Sequence, residues 1–279
     1  MAPSKGWRKE MHGLLDVRFE RKGERTIARE VRQRAPLKVL RSLYPEGDSP
    51  SHLYILNASG GVLAGDRMEV SLHLEERAEV VVTMPAAARI HPMPSGDARQ
   101  KLRFYLGRGS VLEYIPEPLL PFSGAAFLQE IEIFLEEWAT LFWTDILGPG
   151  RFARGESFAY RLYENRMKIS DRAGLVSQES FRLIPREAPI NILGVMEGYS
   201  HMGSLYLFCA DDALEGLLDA FRSIEVPGLY WGATLLSRRG LVVRVLAHDT
   251  PTLQDFFIRL WACFRREVMG RSLPPVRRY

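Results

Sequence analysis

Apolar and polar residues alternate with a period of two along much of the chain. From Leu14 to Arg21, Val17 and Phe19 alternate with Asp16, Arg18 and Glu20, as in a strand with one buried face. Arg67–Glu75 repeats the pattern, with Met68, Val70, Leu72 and Leu74 on one side. Ala78–Met84 is a β-branched run and predicts a strand buried on both faces. Further strands are predicted over Leu102–Leu106, Val111–Ile115, Ile131–Leu135, Phe158–Tyr163 and Ala233–Ser237. They recur about every 8–12 residues, between turn signals such as Asp171–Gly174 and Arg238–Gly240, which predicts stacked or rolled sheets rather than βαβ units.

Period 3.6 replaces period two only near the end. Asp211–Arg222 opens on acidic residues and repeats apolar positions three and four apart. A second helix is predicted from about Pro251 to Met269, with Thr250 as N-cap, Pro251 in the first turn and Gly270 past the end. No repeat of constant period and no low-complexity linker interrupts the chain. Residues 1–279 therefore read as a single domain, mainly β, with a small α-helical element near the C-terminus.

Composition narrows the class. Apolar residues at 46% and charged residues at 25% exclude a disordered or fibrous chain, and a net charge of +3 gives no case for nucleic acid. The opening MAPSKGWRKEMHGLL lacks the roughly 7–15-residue apolar core of a secretory signal, and no run approaches the ~18 apolar residues of a membrane span. The expectation is a soluble, cytoplasmic protein without a membrane partner. Cys209 and Cys263 sit among apolar neighbours and read as small core hydrophobes. Charge is segregated: residues 1–42 are basic, residues 109–150 carry seven carboxylates and no Lys or Arg, and Arg265, Arg266, Arg271, Arg277 and Arg278 make the end basic again. The acidic stretch is either a solvated face or a groove for cations and basic surfaces.

Catalytic signatures are weak. Gly60–Asp66 lacks the Gly-Lys-Ser/Thr and following helix of a phosphate loop and reads as a tight turn. Gly198-Tyr-Ser-His-Met-Gly203 misses the spacing of a nucleophile elbow, and Ser200 and His201 on a strand would face opposite ways. The six histidines show no metal-binding spacing, although His91 sits in a turn-rich loop beside Met93. Glu113 and Glu156 leave open a β-rich carbohydrate-active hydrolase working through paired carboxylates.

The order of segments is more specific than any one of them. GGVLAGDRMEV (60–70), VVVTMPAAARIH (80–91), Ala98-Arg-Gln100 before a strand, GSVLEYIPEPLLPF (109–122), the GR-x-x-x-GE stretch Gly150–Glu156 and LVVRVLA (241–247) together resemble the UreD (UreH) family of urease accessory proteins. The resemblance covers residues 50–279. It implies a non-enzymatic protein of stacked, β-helix-like sheets that binds UreF directly and the GTPase UreG through UreF. Such proteins help load nickel into the urease apoprotein, with nickel in transit through an internal tunnel and no permanently bound cofactor. Weak, spaced oxygen ligands suit a carrier that must release its metal. Asp66 and Glu156 end two of the most similar segments, Glu113 lies in a predicted strand and Asp145 closes the acidic stretch; these four carboxylates are expected to guide nickel. Trp261 and Phe264 of the last helix either cover the sheet or help anchor a partner.

Overall fold

The computed structural model describes residues 11–274. The readings made above on the first ten residues and on Arg277 and Arg278 lie outside the described residues. Strand covers 47% of the described residues and helix 13%, so the protein is mainly β, as the period-two pattern requires.

Among the described residues, seventeen strands form two sheets. The first holds β1 (His12–Lys22), β2 (Arg25–Arg34), β5 (Arg67–Leu74), β8 (Ala98–Leu106), β11 (Ala126–Leu135), β13 (Leu162–Asp171) and β14 (Gly174–Leu183). Its order is β14-β13-β11-β8-β5-β1-β2, parallel from β13 to β1 with an antiparallel strand at each edge. The second holds β3 (Leu37–Val39), β4 (Ser51–Asn57), β6 (Glu79–Thr83), β9 (Val111–Ile115), β12 (Thr140–Leu147), β15 (His201–Phe208), β16 (Tyr230–Leu235) and β17 (Leu241–Ala247). Short β7 (Ala88–Ile90) and β10 (Leu119–Pro121) flank it. Helices α1 (Asp211–Arg222) and α2 (Thr250–Met269) cover its outer face.

Three layers explain the run at Ala78–Met84. Val80 and Val82 join the core between the two sheets, while Val81 joins the core beneath the helices, so the three valines of β6 meet apolar neighbours on both faces. In β5 only one face does, and Met68, Val70, Leu72 and Leu74 are all buried between the sheets. The helices are held close because β15 carries Gly203, where a Cβ would lie 2.8 Å from the Phe257 ring. Asp249, rather than Thr250, caps α2, accepting a hydrogen bond from the Thr252 N–H at 2.7 Å.

The chain coils as a solenoid, passing from the first sheet to the second through three equivalent turns. Glu75–Ala78, Gly107–Ser110 and Glu136–Ala139 each close with an i+3 to i hydrogen bond, and each puts its third residue in the left-handed region: Arg77 at φ 57°, Gly109 at 62° and Trp138 at 56°. The turns stack, Arg77 N–H donating to Arg108 O and Gly109 N–H to Glu137 O. The repeat is hidden in the sequence because the spacing between turns varies. At the opposite end the strands of the second sheet finish, those of the first begin, and longer loops join them.

Two strand expectations shift. Phe158 has φ 50°, so Phe158–Arg161 is loop and β13 begins at Leu162. The strand expected at Ala233–Ser237 is β16, Tyr230–Leu235. Trp261 and Phe264 are buried against the second sheet and do not form a surface anchor.

Candidate functional site

Between the sheets, at the end carrying the long loops, lies a cavity of about 270 Å³. Gln100, Gln129 and Tyr163 line it from the first sheet and Tyr114, Trp143 and Asp145 from the second. Register sets its floor: Gln100 of β8 pairs with Gln129 of β11, which pairs with Asn165 of β13, giving a row of three amides on adjacent strands. Asn165 shares a face with the cavity-lining Tyr163 two residues earlier. It is buried, and its Oδ1 has no hydrogen-bond partner among the described residues. A buried acceptor without a protein partner is a place where water completes the bonding.

Two carboxylates line this space: Glu117, which accepts from the Gln254 side chain at 2.9 Å, and Asp145. Part of the surface of Asp145 is open, yet protein encloses it on every side at longer range, so the opening is to the cavity. Burial pushes its carboxyl up to about 7, and the charge of Glu179 pushes the same way. Arg244 and the Trp143 indole, which donates to Oδ2 at 3.4 Å, oppose the shift without cancelling it. Arg244 is itself engaged by Glu179 at 2.5 Å and donates to the Tyr206 hydroxyl at 3.0 Å. The result is an acid that exchanges its proton near neutrality inside a polar-floored, aromatic-walled chamber.

The other three expected carboxylates do not line the cavity and have partners of their own. Asp66 is a turn clamp, accepting from Leu63 N–H at 2.9 Å and Met11 N–H at 3.2 Å. Glu156 accepts from Ser123 N–H at 3.1 Å and pairs with Arg151, which holds its carboxyl below the usual range. Glu113 is 1% exposed beneath α2, its oxygens taken by Arg265 at 2.7 and 3.0 Å and by the Trp261 indole. Arg265 is fully buried and also grips Glu46 at 2.7 Å, which in turn meets His52 at 2.8 Å. Burial pushes Glu46 up, but hydrogen bonds from His52 and Arg265 prevail and hold it at about 2.

This geometry removes the basis for a hydrolase built on Glu113 and Glu156. Such a pair must face one scissile bond from a shared cleft. Here one carboxylate is sealed under a helix and the other is fixed in a loop by arginine. The acidic stretch likewise forms no single groove: Glu130 and Glu132 are met by Lys101 at 3.2 and 3.1 Å, and Glu136 by Arg172 at 2.7 Å.

Ser200 and His201 are brought together rather than apart, Ser200 Oγ lying 2.8 Å from Nδ1, because Ser200 precedes the strand. The hydroxyl donates to the His248 carbonyl at 2.7 Å, which leaves no proton for a base to remove and gives no nucleophile. His91 packs edge-on to Phe122 and against Gly61, where a Cβ would meet its Nε2 at 2.4 Å. Cys209 and Cys263 are buried and unpaired, with Cys209 pushed up to about 12 by burial. Among the described residues no three His, Cys, Asp or Glu side chains cluster to hold a metal, and no helix is long and apolar enough to cross a membrane.

Sequence reasoning missed Gln129, Asn165 and Glu179, and gave no role to Gln100 and Arg244 although both lie in segments that carry the resemblance. Each is an ordinary strand residue in its own segment, and only strand register makes them neighbours.

A family model described as UreD urease accessory protein matches residues 11–279. A protein of Cenarchaeum symbiosum (strain A) named urease accessory protein UreD is 32% identical over 95% of this chain and 95% of its own length. Proteins of the same name from Bacillus sp. (strain TB-90) and Staphylococcus aureus (strain bovine RF122 / ET3-1) are 32% and 31% identical, each over 96% of this chain and 98% of their own.

Proposed function

The chain belongs to the UreD urease accessory protein family, and from that premise we propose that it acts as a nickel-insertion chaperone for the urease apoprotein. In this reading the whole chain works as one cytoplasmic domain without turnover of its own. It binds UreF directly and UreG through UreF, and passes nickel toward the urease active site. Nickel is cargo here, not a resident cofactor.

The observation that carries the reading is Asp145 in the cavity between the sheets. A carboxyl that titrates near neutrality gives up its proton to accept a divalent cation and takes one back on release, so neither state is deeply trapped. Nickel accepts oxygen ligands, and one carboxylate with amide carbonyls and water gives a weak, reversible site. Gln100 and Gln129, which line the same cavity, supply the carbonyls. Asp66 and Glu156 serve the route by shaping the loops at the cavity end, since their oxygens hold backbone and Arg151. Glu113 serves it by fixing α2 on the second sheet.

Co-expression of urease subunits and the accessory proteins with Asp145→Asn tests this. The variant is expected to co-purify with UreF as the parent does, while nickel per urease and urease activity fall about tenfold. Full nickel loading by Asp145→Asn would sink the reading. Asp66→Lys and Glu156→Lys are expected to lower nickel content through loop distortion, with UreF binding retained.

A further inference from the structure

The two sheets differ in width on one side, and the difference leaves a slot one strand wide. The solenoid turns set which strands face each other, since β5 continues into β6, β8 into β9 and β11 into β12. Beyond these pairs the first sheet adds β13 and β14, whereas the second adds β15, β17 and β16. The ion pair between Glu179 and Arg244 at 2.5 Å places β14 opposite β17. β16 therefore projects one strand beyond the first sheet. Its side chains agree with this. Trp231, Ala233 and Leu235 pack toward the helices, while Tyr230, Gly232 and Thr234 on the other face are exposed, Tyr230 to 58%.

A strand filling this slot would find its backbone partner in place. β14 pairs with β13 alone, and only its start is guarded, by a bulge at Val176 and by Arg238, which donates to the carbonyls of Gly174 and Leu175. Along residues 177–183 the other edge has no hydrogen-bond partner among the described residues. Two of these seven residues are charged, and neither shields the edge: Glu179 turns to Arg244 on the facing sheet and Arg182 to Glu164 on β13 at 3.6 Å. A free edge beneath an overhanging strand suits strand addition, in which main-chain bonds hold the guest and alternate side chains give selectivity. A second copy of this chain does not fit, because pairing β14 with another β14 would place that copy's β17 where β16 lies. No residue of β14 or β16 lines the cavity, so a guest here leaves the cavity free.

We infer that one extended segment of UreF adds to the first sheet as an eighth strand, pairing with residues 177–183 of β14 and lying beneath Tyr230, Gly232 and Thr234 of β16. The inference rests on the delivery reading for the identity of the partner, because UreF is the protein that reading puts in direct contact with this chain. Hydrogen exchange of the full chain, alone and with UreF, tests it without nickel. Amides of residues 177–183 that point away from β13 are expected to exchange fast in the free chain and at least tenfold more slowly in the complex. A Cβ at Gly232 would meet nothing within 4 Å, so Gly232→Trp fills the slot while leaving the free fold intact. It is expected to keep the parent melting temperature and to weaken UreF binding at least tenfold in titration calorimetry, whereas Gly232→Ala binds as the parent does. Parent-like affinity of Gly232→Trp overturns the inference, as does unchanged exchange of β14 in the complex. Slow exchange of the same amides in the free chain overturns it in favour of a segment of this chain as the occupant. Should Gly232→Trp melt lower, the exchange measured on the parent chain decides. A parent chain that does not bind UreF overturns both this inference and the partner in the delivery reading, whereas binding without change at β14 overturns the inference alone.

Discussion

Above pH 7, Asp145 carries a charge that its surroundings resist. Its carboxyl ionises at 3.8 in an unfolded chain and at about 7 when folded, so between those values the folded state holds the extra proton. Stability from this group is therefore present at low pH and is lost as pH rises through that window, by about 4 kcal/mol at most. Asp145→Asn should melt higher than the parent at pH 8, and the gap should close toward pH 4. Equal melting curves at both pH values would contradict the burial described for this side chain. Arg77 gives a prediction of the opposite kind. It occupies the left-handed turn position that Gly109 fills one coil later, its side chain is exposed, and its nearest carboxylate contact, Glu76, is 3.8 Å away. Arg77→Gly removes a left-handed strain of about 1 kcal/mol and should raise, or at least not lower, the urea midpoint.

Among the elements, α2 depends most on a single side chain. Arg265 is buried with Glu113 on the second sheet and Glu46 in the loop before β4, and it also donates to the Ser272 carbonyl at 2.6 Å. Removing it strands two carboxylates, one of them fully enclosed, so Arg265→Met should cost about 3–5 kcal/mol. The double variant Arg265→Met/Glu113→Leu should recover part of that loss, because no unpaired buried charge remains at Glu113. A double variant less stable than Arg265→Met in chemical denaturation would show that the charge pair itself, and not the avoidance of an orphan, sets the energy. Glu46 adds a pH signature: a carboxyl held at about 2 contributes stability above about 4.5 that disappears as pH falls toward 2.

In the whole molecule the second sheet is the middle of three layers. Strands β6, β9 and β12 have the first sheet on one side and the helices on the other, whereas β2 is exposed from Arg29 to its end at Arg34 and pairs with one neighbour. Hydrogen exchange should follow this order, with amides of β9 and β12 slowest and those of β2 among the fastest strand amides. Protection of β2 equal to that of β9 would refute the layering. A bulge at Arg18/Phe19 and the arginines at 29, 32 and 34 blunt this open edge against pairing with other chains.

The sequence by itself determined the mainly β class, the face each alternating strand buries, the double burial of Ala78–Met84 and both helices to within a residue at their starts. Each of these follows from local periodicity and end chemistry, which neighbours in the chain decide. It also carried the family, through the order of its segments. It missed β2 because its exposed stretch from Arg29 to Arg34 has no apolar alternation, and it missed the stacked turns because their spacing varies. Of the expected site residues only Asp145 lines the cavity, and Glu117, which also lines it, is another of the same seven carboxylates. That Asp145 faces a cavity, while Glu113 lies under a helix and Asp66 and Glu156 clamp loops, was decided by tertiary structure alone. Strand register and the packing of one sheet on another bring Gln100, Gln129 and Asp145 around one space. Those contacts join residues tens of positions apart, for which no single segment carries a signal.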